Sequence, residues 1–106
     1  MPAAGESMAD KNISIQMAGF HGIDYSAMEI INKNIAMHLK KISNMSESPG
    51  MLHITLKKVH EREKGEIYDI HTKLPDKGKV YVSHVTDRNL LAAVDKALQK
   101  IINEMD

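Results

Sequence analysis

The sequence predicts an α+β fold of order β-α-β-β-β-α, a four-stranded mixed sheet with two helices packed on one face. Three observations predict it. Apolar residues at 28, 31, 35, 39 and 42, and again at 90, 91, 94, 98, 101, 102 and 105, recur at helical spacing. Three central stretches alternate apolar and polar side chains, as strands with one buried face do. Short segments rich in charge, Gly or Pro join those stretches, so they pair as hairpins.

The first element is Ile13-Ser14-Ile15-Gln16-Met17, an alternating strand, and Gly19 and Gly22 punctuate the turn after it. Ser26-Ala27-Met28-Glu29 has the spacing of a capping box, with Asp24 as the rival cap. The helix that follows carries Lys33, Lys40 and Lys41 on its outer side and ends in a loop, Ser43 to Gly50. Leu52, Ile54 and Leu56 then alternate with His53, Thr55 and Lys57. Tyr68, Ile70 and Leu74 alternate with Asp69, His71 and Lys73, and Val80 and Val82 with Tyr81 and Ser83. Glu61-Arg62-Glu63-Lys64-Gly65 is read as the first hairpin turn and Pro75-Asp76-Lys77-Gly78 as the second. Thr86 or Asp87 is expected to cap the last helix, whose outer side carries Lys96 and Lys100 one turn apart. A strand, a helix and a second strand make a βαβ unit, right-handed if those strands are parallel neighbours.

A chain of 106 residues, 42% hydrophobic, is long enough for one core and one domain, expected over 13–106. Residues 1–12 are small and polar and are expected to be a disordered tail. Aromatics are few (Phe20, Tyr25, Tyr68, Tyr81), so Ile, Leu, Val and the eight methionines must fill the core. There is no cysteine, which excludes disulfides, a thiol nucleophile and a thiolate zinc site. No apolar run approaches the roughly 20 residues of a bilayer span, and no secretory signal is visible. The expectation is therefore a cytoplasmic protein with no membrane contact.

The net charge is zero, from 14 basic and 14 acidic residues, which argues against strong nonspecific nucleic-acid binding. No nucleophile–base pair, paired carboxylates or cofactor fingerprint is evident, so neither catalysis nor a cofactor is expected. The six histidines show no metal-binding spacing on a helix, and no metal site is expected. His53, His71 and His84 share one sheet face only if the strand register allows it. What remains is binding, and the helix lysines are the candidates.

At the last helix the run Asn89-Leu90-Leu91-Ala92-Ala93-Val94-Asp95, followed by Lys100-Ile101, has a counterpart in a known family. There it reads Asp-Met-Tyr-x-Ala-Ile-Asp, with a Lys-Leu pair following. From about residue 12 to 105, in this run and in the order and spacing of its elements, the chain resembles the ribosome hibernation-promoting factor and protein Y family. Its members are also called ribosome-associated translation inhibitors or sigma-54 modulation proteins. The resemblance implies a factor that binds the small ribosomal subunit in the mRNA and tRNA channel, inhibits translation and helps store idle ribosomes under stress. In the family, basic residues on the outer helix faces contact rRNA phosphates. Lys100 matches a family lysine of the second helix and Lys40 one near the end of the first. Helical geometry adds Lys33, Lys41, Arg88 and Lys96 to the expected rRNA-binding set. The chain departs from the pattern at Asn89, at Leu91, at Asn103 where many members have arginine, and after Asp106 where many continue into a basic tail. A short-type member, monomeric when free, is the expectation. The competing readings are a double-stranded-RNA-binding-like module, whose second helix normally opens with lysines, and a protein-interaction module using a sheet edge.

Overall fold

Two helices lie side by side on one face of a four-stranded sheet in the computed structural model, which describes residues 13–106. The tail expected over residues 1–12 lies outside the described residues. The elements are β1 (Ile15–Ala18), α1 (Tyr25–Met45), β2 (Leu52–Glu61), β3 (Gly65–Asp76), β4 (Lys79–Asp87) and α2 (Leu90–Met105). The sheet order is β1-β2-β3-β4. β1 runs parallel to β2, and the other neighbours are antiparallel, so the sheet is mixed as expected. A parallel pair cannot be closed by a tight turn, and α1 supplies the crossover.

The α1 stripe buries Ile31, Ile35, His38 and Ile42, with Met28 and Leu39 half-buried beside them. Of the two rival caps, Asp24 holds the position. Its carboxylate accepts the Ala27 N–H at 3.4 Å and the Ser26 hydroxyl, and the helix already begins at Tyr25. Gly19 closes the turn before it at φ +85°, where the chain passes directly against the Leu56 carbonyl.

The cap of α2 differs from the expectation. Asn89 caps it, accepting the Ala92 N–H at 3.0 Å. Thr86 and Asp87 are excluded because the β3–β4 ladder still pairs them, Thr86 with Asp69 and Asp87 with Tyr68, so the backbone there remains extended. Asp87 instead accepts the Asn89 N–H at 2.8 Å and shapes the turn before the helix. Ala93, Val94, Ala97, Leu98, Ile101 and Ile102 are buried, whereas Leu91 stays partly exposed. The small Ala97 lets the helix approach β4, where the Ser83 hydroxyl donates to the Ala97 carbonyl at 2.9 Å. That commits the single Ser83 proton, so the neighbouring Thr72 hydroxyl donates to Ser83.

β4 also faces opposite to its apolar pattern. Val80 and Val82 are exposed on the open side of the sheet, and Tyr81, Ser83 and Val85 point at the helices. The β3–β4 hairpin sets this register. Its turn is Lys77-Gly78, both at positive φ, rather than Pro75 to Gly78, so Pro75 and Asp76 remain in β3 opposite Val80 and Lys79. Asp76 is buried there, and its carboxylate accepts the N–H groups of Glu47 and Ser48 at 3.1 and 2.7 Å, tying down the loop after α1.

One cluster holds the core: Ile31, Ile35 and Ile42 of α1, Leu52, Ile54 and Leu56 of β2, Ile70 and Leu74 of β3, Val85 of β4 and the buried stripe of α2. No helix among the described residues is long and apolar enough to cross a membrane.

Candidate functional site

The helices meet through Asn34, whose Nδ2 donates to Asp95 Oδ1 at 3.0 Å, and through buried His38, whose Nε2 lies 3.5 Å from the same oxygen. The His38 Nδ1–H donates to the Asn34 carbonyl at 2.8 Å. This seam fixes how the outer faces of α1 and α2 sit beside each other.

Lys33, Lys40 and Lys41 are exposed on α1. Lys33 and Lys40 are seven residues apart, nearly two full turns, on the side opposite the Ile31–Ile35–Ile42 stripe, and Lys41 is rotated toward the α2 side. Among the described residues none of the three has an ion-pair partner. The α2 lysines are engaged. Lys96 Nζ lies 2.8 Å from Asp87 Oδ2, and its hydrogen bond, with that from the Asn89 N–H, holds the Asp87 carboxyl below its usual range. Lys100 Nζ donates to the His84 carbonyl at 3.3 Å, along the free edge of β4. Arg88 is drawn to the β2–β3 turn, where it donates to the Lys64 carbonyl at 3.1 Å and pairs with Glu61. The structure thus brings Lys33, Lys40 and Lys41 together on α1 and Lys96 with Lys100 on α2, and sets Arg88 apart as a strut. Asn103 is exposed and accepts from Gln99 Nε2 at 3.0 Å.

The sheet face away from the helices is bare. Strand register places its side chains in rows: His53, Lys73 and Val82; Thr55, His71 and His84; Lys57, Asp69 and Thr86. The three sheet histidines therefore do share one face. The His71 and His84 rings stack with centroids 4.0 Å apart and 14° between their planes. Both Nε2 atoms address Asp69, His84 at Oδ1 and His71 at Oδ2, the latter at 3.4 Å. Thr86 Oγ1 donates to Asp69 Oδ1 at 3.0 Å. Partial burial pushes the Asp69 carboxyl up, but the bonds from His84 and Thr86 and the neighbouring imidazoles outweigh it and leave it below its usual range. A groove of about 950 Å³ runs from this row past Val82 and around the β4 edge to Lys100 and Asn103.

No family model and no curated protein sequence matches the chain. Solved structures do. The N-terminal domain of protein Y from Thermus thermophilus superposes with a TM-score of 0.55 at 14% identity, over 90% of this chain and 96% of that one. The chain has the fold of the protein Y N-terminal domain. A ribosomal subunit interface protein from Coxiella burnetii gives a TM-score of 0.57 at 11% identity, over 88% of this chain and 91% of that one. The likeness spans nearly the whole of each partner, so the protein Y fold accounts for both helices and all four strands. It is also the fold that the run at Asn89–Asp95 implied.

Within the protein Y fold, one group of polar residues escaped sequence reasoning, and a second was seen only in its histidines. The Asn34–His38–Asp95 seam joins residues of two helices, and no local pattern marks it. The Asp69–His71–His84–Thr86 cluster was signalled only by the shared parity of 69 with 71 and of 84 with 86, which acquires meaning once the β3–β4 register is known.

Proposed function

We propose that this chain is a ribosome-associated factor that binds small-subunit rRNA through the outer faces of α1 and α2, and so inhibits translation or keeps idle ribosomes stored. The observation that carries the reading is the fold, shared over about nine-tenths of the chain with a ribosomal subunit interface protein. The lysines support it chemically. Lys33, Lys40 and Lys41 offer ammonium groups with no carboxylate to displace among the described residues, as phosphate contacts require. Lys96 and Lys100 extend the surface after exchanging their present partners, and Arg88 joins it only by leaving the strut that it makes to Glu61 and the Lys64 carbonyl. The reading calls for no catalysis, no membrane and no cofactor, and it places a monomeric protein in the cytoplasm, where ribosomes are.

Sucrose-gradient sedimentation with purified small subunits at low and high salt tests it. Wild type is expected to co-sediment at low salt and to be released as salt rises, and the Lys40→Glu, Lys100→Glu double variant to stay at the top of the gradient at both. Wild type that never co-sediments refutes the function. A double variant that co-sediments like wild type refutes the site. Tight retention of duplex RNA without ribosomal co-sedimentation would move the assignment to a duplex-binding module.

A further inference from the structure

We propose that Asp69, His71 and His84, on the open face of the sheet, form a three-ligand site for a borderline divalent transition-metal ion of the zinc class. This inference does not rest on the ribosomal reading, because its three ligands lie on the sheet face turned away from the helices.

Strand geometry brings the ligands together. Asp69 and His71 are two residues apart on β3 and so share a face, and His71 is the direct cross-strand partner of His84 on β4. The three donor atoms lie within 4.8 Å of one another. A tetrahedral ion held at about 2.0–2.2 Å by nitrogen and oxygen sets its donors about 3.3–3.5 Å apart. The His71 Nε2 to Asp69 Oδ2 separation is 3.4 Å, which is such an edge. Both Nε2 atoms already face the Asp69 carboxylate. A bound ion takes the place of the proton that His84 Nε2 shares with Asp69 Oδ1, each imidazole then keeping its ring proton on Nδ1 and giving its Nε2 lone pair to the metal. Stacking of the rings at 4.0 Å keeps the two nitrogens on the same side.

The support around the ligands fits as well. Thr86 Oγ1 holds Asp69 Oδ1 and so fixes the carboxylate's orientation, the role that an outer partner plays for a metal ligand. Two imidazole nitrogens with one carboxylate select zinc, nickel, cobalt or copper over calcium and magnesium, which take oxygen donors in larger number. The adjoining groove leaves the fourth position open to water or to a donor from another molecule. Lys57, opposite Asp69, and Lys73, in the next row, face the same surface, and their charge keeps the affinity below that of a buried four-ligand site.

The test is a calorimetric titration of the chelator-stripped full chain with zinc chloride, alongside NMR of the histidine side chains. The expected result is saturation at one equivalent, with the His71 and His84 imidazole signals moving and that of His60 unmoved. His71→Ala and His84→Ala should each weaken binding by more than 10-fold, and Thr86→Val by about 10-fold. Magnesium chloride at the same concentration should give no heat and no shift. Both rings are 55% exposed, so their removal leaves the core intact, and the wild-type NMR titration locates the ion without any substitution. The proposal is overturned by failure to saturate at one equivalent, by undiminished affinity in the double alanine variant, or by shifts centred on His53 or His21 instead.

Discussion

At Gly19 a Cβ would lie 2.0 Å from the Leu56 carbonyl oxygen, and the backbone sits at φ +85°. Two separate penalties meet there, a left-handed backbone and a collision with an atom that the sheet holds in place. Gly65, which opens β3 opposite Glu61, has nearly the same φ, +84°, but nothing within 4 Å of the Cβ position. The pair isolates the collision. Gly65→Ala should cost about 1–2 kcal/mol, the left-handed conformation alone, whereas Gly19→Ala should cost clearly more than about 2 kcal/mol. Urea midpoints of the two variants against wild type measure the difference. Equal losses would mean that the first turn does not press on β2 as described.

Helix α1 starts where the Asp24 carboxylate takes the Ser26 hydroxyl and the Ala27 N–H, and these bonds, the Ser26 one foremost, hold its pKa below the ordinary 3.8. A carboxyl whose folded pKa is depressed adds stability that is fully present above its unfolded value and is lost as pH falls through the folded one. Asparagine caps comparably but does not titrate. Wild type should therefore lose stability relative to Asp24→Asn as the pH falls through and below the ordinary carboxylate range, read as a converging or crossing of their urea midpoints. A constant gap would place the cap elsewhere, for instance on Ser26. Such details mark where sequence reasoning stops at the level of elements. The steps of three and four through Ile31, Ile35 and Ile42 announce α1, and the alternation through Leu52, Ile54 and Leu56 announces β2, because burial imposes both periods directly. The α2 cap was not legible, since it depends on the β3–β4 ladder continuing as far as Asp87. The facing of β4 was not legible either. Val80 and Val82 look like core residues, and only the Lys77-Gly78 turn reveals that they are not. The exposed Lys33, Lys40 and Lys41 follow from the helical wheel. The pairing of Arg88 with Glu61 joins residues 27 apart, and that of Lys96 with Asp87 spans a strand end and a helix, so neither leaves a local trace.

As a whole, the described part of the molecule is a two-layer slab, 50 × 29 × 18 Å, with helices on one broad face and bare sheet on the other. Its formal charge is zero, so affinity for a polyanion has to come from the local arrangement of cations rather than from a global field. Salt dependence reads that arrangement. Each phosphate neutralised by a lysine adds about 0.7–0.9 to the slope of log K against log salt. Lys33, Lys40 and Lys41 carry no carboxylate partner among the described residues, whereas Lys96 is already shared with Asp87. If the outer helix face binds rRNA, Lys40→Gln should flatten the slope by nearly the full increment, and Lys96→Gln by distinctly less. Asp87→Asn should do the reverse: it keeps an oxygen to accept the Asn89 N–H, removes the charge that occupies Lys96, and so steepens the slope and tightens binding at low salt. Binding of a small-subunit rRNA fragment across a salt series, for wild type and these three variants, measures all of this at once. One common slope for all four proteins would show that phosphate is held elsewhere. A steeper Asp87→Asn line beside a flatter Lys40→Gln line is the pattern that only a lysine-bearing helix face, partly neutralised by its own strand, produces.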